Sequence, residues 1–197
     1  LGEHSIRLVA YAVVGFGNKE VESDKVFSFA RTMGIGTIVT EPSYDDYSLL
    51  EKMVQKYGIS IAVHNHPEPN KYADPQTVLD HVKGLDRRIG GGCDTGHWMR
   101  SGHDPVESLR LLRGRGVHLH LKDLDRFGIR EAVDVPFGEG KADIHDILAE
   151  LTKQDYRGYI SIEHENPADV DNPSPPIREG LKNVEKMTYF SGYEEIL

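Results

Sequence analysis

Six short, largely apolar segments alternate with amphipathic helical patterns along this chain of 197 residues, and this alternation limits the folds open to it. Each segment ends at glycine or polar residues, as buried strands do. The predicted strands are Ile6–Val14, Ile35–Thr40, Ile59–Val63, Ile89–Cys93, Val117–Leu121 and Tyr159–Ile162. Strands that are covered by helices on both faces become continuously apolar. The sequence therefore predicts an α/β fold with parallel strands.

Capping residues mark where several of the intervening helices begin. Asp74-Pro75 and Asp104-Pro105 each place an acidic N-cap before a proline in the first turn, and Glu107 adds a capping box after Asp104. The residues predicted to form the buried face of the first helix are Val26, Phe29, Ala30 and Met33. The segment from Asp123 to Lys141 contains Pro136 and several glycines, which predicts a long loop over the strand ends.

Residues that bind metals or transfer protons follow five of the six predicted strands. They are Glu41, the pair His64 and His66, the pair Asp94 and His97, the pair His118 and His120, and the group Glu163, His164 and Glu165. Because the carboxyl ends of parallel strands lie at one end of a sheet, we expect these side chains to converge. A doubly wound sheet concentrates its site at one switch point, whereas a barrel distributes it around the ring. The spread over five strands favours a closed or nearly closed β/α barrel.

Carboxylates mixed with imidazoles indicate a site for one divalent metal ion, with Zn, Mn, Co or Fe(II) as the suitable metals. Such an ion leaves coordination positions open for a substrate that chelates through adjacent oxygens, as a sugar or hydroxy-ketone does. It stabilises the oxyanion that develops when a proton is removed next to a carbonyl, and a flanking Glu or His moves the proton. This chemistry favours isomerisation or epimerisation of a small carbohydrate.

Several of these residues also have a purely structural interpretation. Asp94 could cap a turn that follows its strand, and His118, which shares a strand face with His120, could be a hydrogen-bonded core histidine. Lys122 and Asp123 could form a structural ion pair. These alternatives stay open at the level of the sequence.

Composition argues against several classes of function. The net charge of -9 repels phosphate backbones, so nucleic acid is not an expected partner. No apolar run approaches the roughly 20 residues of a membrane helix, and neither GxGxxG after the first strand nor GxxxxGK[ST] is present. Cys93 is the only cysteine, which excludes an internal disulfide, and its apolar surroundings favour a buried spectator over a nucleophile.

The length is that of a single domain, which we predict to extend over residues 1–197. The chain begins with Leu1 rather than Met, so we expect that an upstream segment has been removed or omitted. The expected protein is soluble, and is either cytoplasmic or exported with its signal removed. A homo-oligomer stays open as an alternative.

Four motifs in the second half of the chain resemble those of a known family. They are CDTGHW at 93–98, HLHLKD at 118–123, GEG at 138–140 and ISIEHE at 160–165. They are similar to the xylose-isomerase-like TIM barrels, the sugar phosphate isomerase/epimerase superfamily, over about Ile6 to Phe190. The resemblance implies a Glu, Asp, His, Glu metal set on successive strand ends, in which Asp94, His120 and Glu163 match the last three ligands. His97 matches a histidine that contacts substrate or a further metal.

The chain departs from the family pattern in two respects. Residues 61–67 read IAVHNHP where a pattern like IALENHP is expected, so His64 occupies the position of the first glutamate. An imidazole binds a metal without a compensating charge, and His64, His66 or Glu41 would have to substitute as the base. The family barrel has eight β/α units and six are counted here, so we expect an N-terminally incomplete TIM barrel that lacks the first two units.

These inferences assign a role to each candidate residue. The predicted metal ligands are His64, Asp94, His120 and Glu163; the catalytic residues are Glu163, His64 and His66; the substrate contacts are Glu41, His97, Trp98 and Lys122. The leading function is a metal-dependent isomerase or epimerase of a sugar or sugar-like polyol. A lyase or hydratase acting on 3-keto sugars or glycosides is the second candidate, favoured by the missing glutamate. A non-catalytic sugar-binding barrel is the third.

An AP endonuclease is disfavoured. Such enzymes resemble this chain at DTGH but need Asp-x-His after HLKD, where the chain has Asp134-Val135-Pro136.

Overall fold

The computed structural model describes residues 2–16 and 19–190, so parts of the predicted domain (Leu1, Gly17, Asn18 and residues 191–197) lie outside the described residues. The helices are α1 (Glu20–Thr32), α2 (Tyr47–Tyr57), α3 (Pro75–Val82), α4 (Thr95–Arg100), α5 (Pro105–Leu111), α6 (Ile144–Lys153) and α7 (Ser174–Phe190). The strands are β1 (Ala10–Tyr11), β2 (Thr37–Thr40), β3 (Ser60–His64), β4 (Ile89–Asp94), β5 (Gly116–Leu121), β6 (Asp123–Leu124), β7 (Asp134–Val135) and β8 (Ile160–Ile162).

Six of these strands form one parallel sheet in the order β1-β2-β3-β4-β5-β8. The sheet curls into a half-barrel with helices packed against it, which confirms the predicted parallel α/β architecture. The first strand is shorter than the predicted Ile6–Val14, because only Ala10 and Tyr11 pair with β2 at the edge of the sheet. Arg7, just before β1, donates a hydrogen bond to the hydroxyl of Tyr159 beside β8. The N-terminal segment thus contacts the residue that precedes β8, the opposite edge strand.

The core lies between the sheet and the helices, and one predicted helix face is wrong. Phe29 and Met33 of the first helical pattern are 47% and 42% exposed, whereas Phe27 and Ala30 are fully buried. The buried face of α1 follows Ser23, Phe27 and Ala30, one residue from each turn. None of the helices within residues 2–16 and 19–190 is both long and apolar enough to span a membrane.

The segment predicted as a long loop contains a small antiparallel hairpin, β6-β7. Asp123 of β6 binds the segment that follows β7, since its carboxylate accepts backbone hydrogen bonds from Gly138, Gly140 and Ala142 at 2.8–3.0 Å. A Cβ on Gly140 would lie 2.1 Å from the Asp123 carboxylate, which explains the glycine in the GEG motif. Asp123 therefore attaches the segment after β7 to β6 and is not the ion-pair partner suggested for Lys122.

Candidate metal centre

Four predicted ligands meet at the carboxyl end of the sheet. His64 ends β3, Asp94 ends β4, His120 lies near the end of β5, and Glu163 follows β8. The register pairs Asp94 with His120 across β4 and β5, which brings both side chains to the same level. One donor atom from each of the four residues lies within 4.8 Å of the other three. Side chains 99 residues apart in sequence thus form one cluster of nitrogen and oxygen donors.

The distances within this cluster suit one tetrahedral ion. Nε2 of His64 lies 3.2 Å from Nδ1 of His120 and 3.8 Å from Oδ2 of Asp94. Nδ1 of His120 lies 3.7 Å from Oδ2 of Asp94 and 2.6 Å from Oε2 of Glu163. A tetrahedral ion with bonds of about 2.1 Å has ligand atoms about 3.4 Å apart. The four donors could accept such an ion with shifts of about 1 Å or less.

Two carboxylate oxygens of the cluster are buried without a hydrogen-bond donor among the described residues. They are Oδ2 of Asp94, which lies 3.3 Å from Nζ of Lys122, and Oε2 of Glu163, which forms an ion pair with Nδ1 of His120 at 2.6 Å. The other Asp94 oxygen, Oδ1, accepts the backbone N–H of His97 at 2.8 Å and caps α4. Asp94 therefore serves as a helix cap and still presents a free oxygen, so its structural and functional interpretations are compatible. Nearby cations offset the cost of burying such acceptors, and in the metal-free chain these cations are Lys122 and His120.

Backbone bonds hold the two central ligand strands in place. The side-chain amide of Asn65 donates to the Asp94 carbonyl at 3.0 Å and accepts the Asp94 N–H at 2.8 Å, which joins β3 to β4. The Thr95 hydroxyl donates to the carbonyl of Lys122 at 3.0 Å and accepts its N–H at 2.9 Å. These contacts fix the positions from which Asp94 and His120 project.

Lys122 places a positive charge beside the cluster. Its side chain is fully buried, and Nζ lies 3.3 Å from Oδ2 of Asp94, 3.4 Å from Oε1 of Glu163 and 2.5 Å from Oε2 of Glu165. Burial lowers the pKa of Lys122, but these carboxylates outweigh burial and raise it. A Cβ on Gly96 would lie 2.7 Å from Cβ of Lys122, so the glycine of DTGH makes room for the lysine.

The cluster is charged in the metal-free chain. Burial alone would raise the pKa of Glu163, but His120 and Lys122 lower it to about 2. Burial alone would lower the pKa of His120, but Asp94 and Glu163 raise it to about 9. An ion that binds here must therefore displace the proton of His120.

Glu41 and His66 form a second pair on the other side of His64. Nδ1 of His66 donates to Oε1 of Glu41, and the amide of Asn70 donates to Oε2 at 3.0 Å. Burial alone would raise the pKa of Glu41, but His64, His66 and Asn70 together hold it well below its usual range. Glu41 in turn raises the pKa of His66, whose side chain is 44% exposed. Glu41 therefore favours the protonated form of His66 at the open face of the site.

His97 lies between two cations, one of which the sequence interpretation missed. Nδ1 of His97 faces the Arg100 guanidinium at 3.0 Å, and Nε2 faces Nζ of Lys122 at 3.3 Å. Burial, assisted by these cations, lowers the pKa of His97 to about 4. Arg100 also binds Asp134 at 2.7 Å and lies 3.4 Å from Glu165. The sequence signal for Arg100 was its position three residues after His97 on a helix, since residues at this spacing are neighbours on the helix surface.

The structure places two residues of the sequence motifs, Trp98 and His118, outside the donor cluster. Trp98, predicted to contact substrate, is 1% exposed and packs in the hydrophobic core, so that expectation is corrected. Nε2 of His118 lies 2.9 Å from the Ser161 hydroxyl, and burial lowers the pKa of His118 to about 4, as suits a neutral core histidine. The Cys93 thiol is buried, and burial raises its pKa to about 12.

Two characterised bacterial proteins are similar in sequence. The rhizopine catabolism protein MocC of Rhizobium meliloti is 29% identical over 166 residues, which cover 74% of this chain and 48% of MocC. An inosose dehydratase of Clostridium beijerinckii is 29% identical over 162 residues, which cover 74% of this chain and 54% of that enzyme. The chain thus spans about half the length of the relatives it matches.

Structural similarity extends over nearly the whole chain. The crystal structure of the IolI protein with a bound zinc atom superposes with a TM-score of 0.71 at 18% identity, covering 96% of this chain and 78% of IolI. At this identity the likeness establishes the fold. The family model described as xylose isomerase-like TIM barrel matches residues 30–187, which include all four clustered donors. The chain therefore belongs to the xylose isomerase-like TIM barrel family.

Proposed function

We propose that this chain is part of a divalent-metal-dependent enzyme that acts on a sugar or sugar-like polyol, and that His64, Asp94, His120 and Glu163 bind the metal. The observation that carries the proposal is the convergence of four donor atoms, two imidazole nitrogens and two carboxylate oxygens, within 4.8 Å of one another. Two imidazoles and two carboxylates suit Zn, Mn or Co. The zinc atom bound by IolI, a protein of the same fold, supports a metal of this kind.

The ion would supply Lewis acidity to a carbonyl oxygen of the substrate. Glu163 is ionised at neutral pH because its pKa is about 2, and its side chain is 33% exposed at the mouth of the site. Glu163 is therefore placed to take a proton from the carbon next to that carbonyl. Lys122 holds the carboxylates of Asp94 and Glu163 in position. His97 does the same for the side of the site where the substrate would bind.

The second proton-transfer group favours a lyase that eliminates water. Glu41 raises the pKa of His66, which favours a role for His66 as proton donor to a leaving hydroxyl on the exposed face. The likeness to an inosose dehydratase supports elimination. Isomerisation or epimerisation is the second candidate. Elimination, isomerisation and epimerisation all begin with the same proton abstraction and differ only in which atom receives the next proton.

Metal content tests the ligand assignment. We expect purified, zinc-loaded protein to retain a bound ion after dialysis, and Asp94→Asn and His120→Asn each to lose one equivalent relative to the wild type, by elemental analysis. Asn caps helices well, so Asp94→Asn keeps the start of α4 intact. His145→Asn removes a surface imidazole and serves as the control that retains wild-type content. Equal zinc in the wild type and both ligand variants would refute the site.

Product analysis in deuterated water separates the reaction classes. With inosose and related keto-polyols, we expect a product that has lost water, detected by mass spectrometry. Deuterium incorporation without loss of water would replace the lyase with an isomerase or epimerase. A metal-loaded protein that binds these compounds without turning them over would instead be a sugar-binding barrel.

A further inference from the structure

We infer that a second divalent cation binds between Glu41 and His66, with the imidazole of His64 bridging it to the first ion. The inference rests on the proposed function only for the presence of that first ion. Ligand atoms from Glu41, His64 and His66 lie within 4.8 Å of one another, and His64 belongs to both donor sets.

The two nitrogens of the His64 ring face different donor sets. Nε2 lies 3.2 Å from His120 and 3.8 Å from Asp94, inside the first set. Nδ1 points the other way and lies 3.8 Å from Oε1 of Glu41. A glutamate at position 64 could bind two ions only through its two carboxylate oxygens, which lie next to each other. An imidazolate presents one lone pair at each of its two nitrogens, on opposite sides of the ring.

Nδ1 of His64 is buried and has no hydrogen-bond partner among the described residues. The His64 side chain is 2% exposed, so bulk water reaches it poorly. A metal-bound histidine ordinarily donates its other ring N–H to a carboxylate or a carbonyl. The absence of such a bond among residues 2–16 and 19–190 leaves this nitrogen directed at the second donor set.

Glu41 is the carboxylate that would normally accept the Nδ1 proton, but its oxygens are already engaged. Oε1 accepts from His66 and Oε2 accepts from Asn70 at 3.0 Å. The separation of 3.8 Å from Nδ1 is too long for a hydrogen bond but suits two ligands of a common ion. A cation between Glu41, His64 and His66 explains the geometry better than a proton on Nδ1 does.

Charge and access also fit a second cation. Its binding would release the remaining ring proton of His64 to solvent, and the resulting imidazolate and the Glu41 carboxylate would together balance a doubly charged ion. Two bonds of about 2 Å to opposite nitrogens of one ring place the ions about 6 Å apart. His66 is 44% exposed, so the second ion would keep coordination positions open towards the mouth. Each ion could then bind a different oxygen of one polyol.

The two roles assigned to His66 exclude each other. In the two-ion form His66 is a ligand, so its role as a proton donor belongs to the one-ion form. The number of ions bound per chain decides between these forms.

Metal stoichiometry of the full chain tests the second site. Chelator-treated protein is loaded with Co(II), passed through a desalting column and analysed for cobalt. We expect two equivalents in the wild type and one in Glu41→Gln and in His66→Asn, which alter only the second donor set. His145→Asn is the matched control for His66→Asn, because it removes an imidazole from the exposed Asp143–His145–Asp146 cluster, and we expect it to keep two equivalents.

The outcomes separate this inference from the proposed function. One equivalent in the wild type that is lost in Asp94→Asn overturns the second site and leaves the proposed function standing. No bound cobalt in the wild type overturns both. Two equivalents that persist in Glu41→Gln and His66→Asn place the second ion elsewhere and overturn the assignment.

Copper tests the bridge itself. Two Cu(II) ions joined by an imidazolate couple antiferromagnetically, so we expect the doubly loaded wild type to show a large loss of integrated EPR intensity per copper. His66→Asn, with one copper, is expected to recover the full intensity per ion. Full intensity with two coppers in the wild type would overturn the bridging role of His64.

Discussion

Single side chains in this centre perform two tasks at once. Asp94 uses one oxygen to cap α4 and keeps the other free for a cation. The sequence interpretation treated cap and ligand as alternatives, because spacing alone does not show which oxygen is engaged. Arg100 was missed for a similar reason, since its contacts are to Asp134 and Glu165, which lie 34 and 65 residues away in the sequence.

The raised pKa of His120 gives metal binding a defined dependence on pH. In the metal-free chain this pKa is about 9, so the ring is protonated at neutral pH and binds an ion only after losing its proton. We expect the apparent zinc affinity to fall roughly tenfold per pH unit as the pH decreases from 8 to 7. Calorimetry in buffers of different ionisation enthalpy measures the accompanying proton release. Binding at pH 7 without proton release would contradict the charge state assigned to His120.

At the level of elements, the sequence predicted the strands well and the short elements poorly. The interior strands follow from continuous apolar runs such as Ile59–Val63, and the caps at Asp74 and Asp104 are observed as predicted. Helix α4 was missed because its six residues carry no apolar periodicity and depend on the Asp94 cap. Hairpin β6-β7 was missed because its first residue, Asp123, is fixed by backbone donors that lie further along the chain, from Gly138 to Ala142.

The contact between α4 and β5 can be tested through Gly96. A Cβ at this position would lie 2.7 Å from Cβ of Lys122, so Gly96→Ala must displace a buried charged side chain. We expect a loss of about 1–3 kcal/mol in the free energy of unfolding, measured by urea denaturation, together with weaker metal binding. Gly84→Ala is the matched control, because nothing lies within 4 Å of its added Cβ. Equal stability of the two variants would show that α4 moves freely relative to β5.

At the scale of the whole molecule, the architecture was predictable but the meeting of the site residues was only inferred. Parallel strands and covering helices follow from local patterns, so the half-barrel was predictable. The positions of Lys122 and of the Glu41–His66 pair depend on how far the sheet curls. Curl is a property of all six strands together, and no single segment of the sequence encodes it.

The folded structure is expected to survive removal of the metal. The buried ammonium of Lys122 and the protonated His120 already balance Asp94 and Glu163. We therefore expect chelated protein to keep its far-UV circular dichroism and to unfold cooperatively at a lower temperature than loaded protein. An ion at 100 times its Kd adds about 2.7 kcal/mol to the free energy of unfolding.

A matched variant shows whether Lys122 is responsible. In Lys122→Met the carboxylates lose their internal counter-charge, so the difference in melting temperature between loaded and chelated protein should widen. Chelated wild-type protein that lacks secondary structure would contradict this account of Lys122.

On the proposed function, the internal ammonium beside the donor cluster would make synthesis and metallation separate events. A cell short of one transition metal would still accumulate folded, loadable molecules. Which element each molecule finally carries would then reflect the supply encountered after folding, and an exchange of one metal for another would not require the polypeptide to unfold.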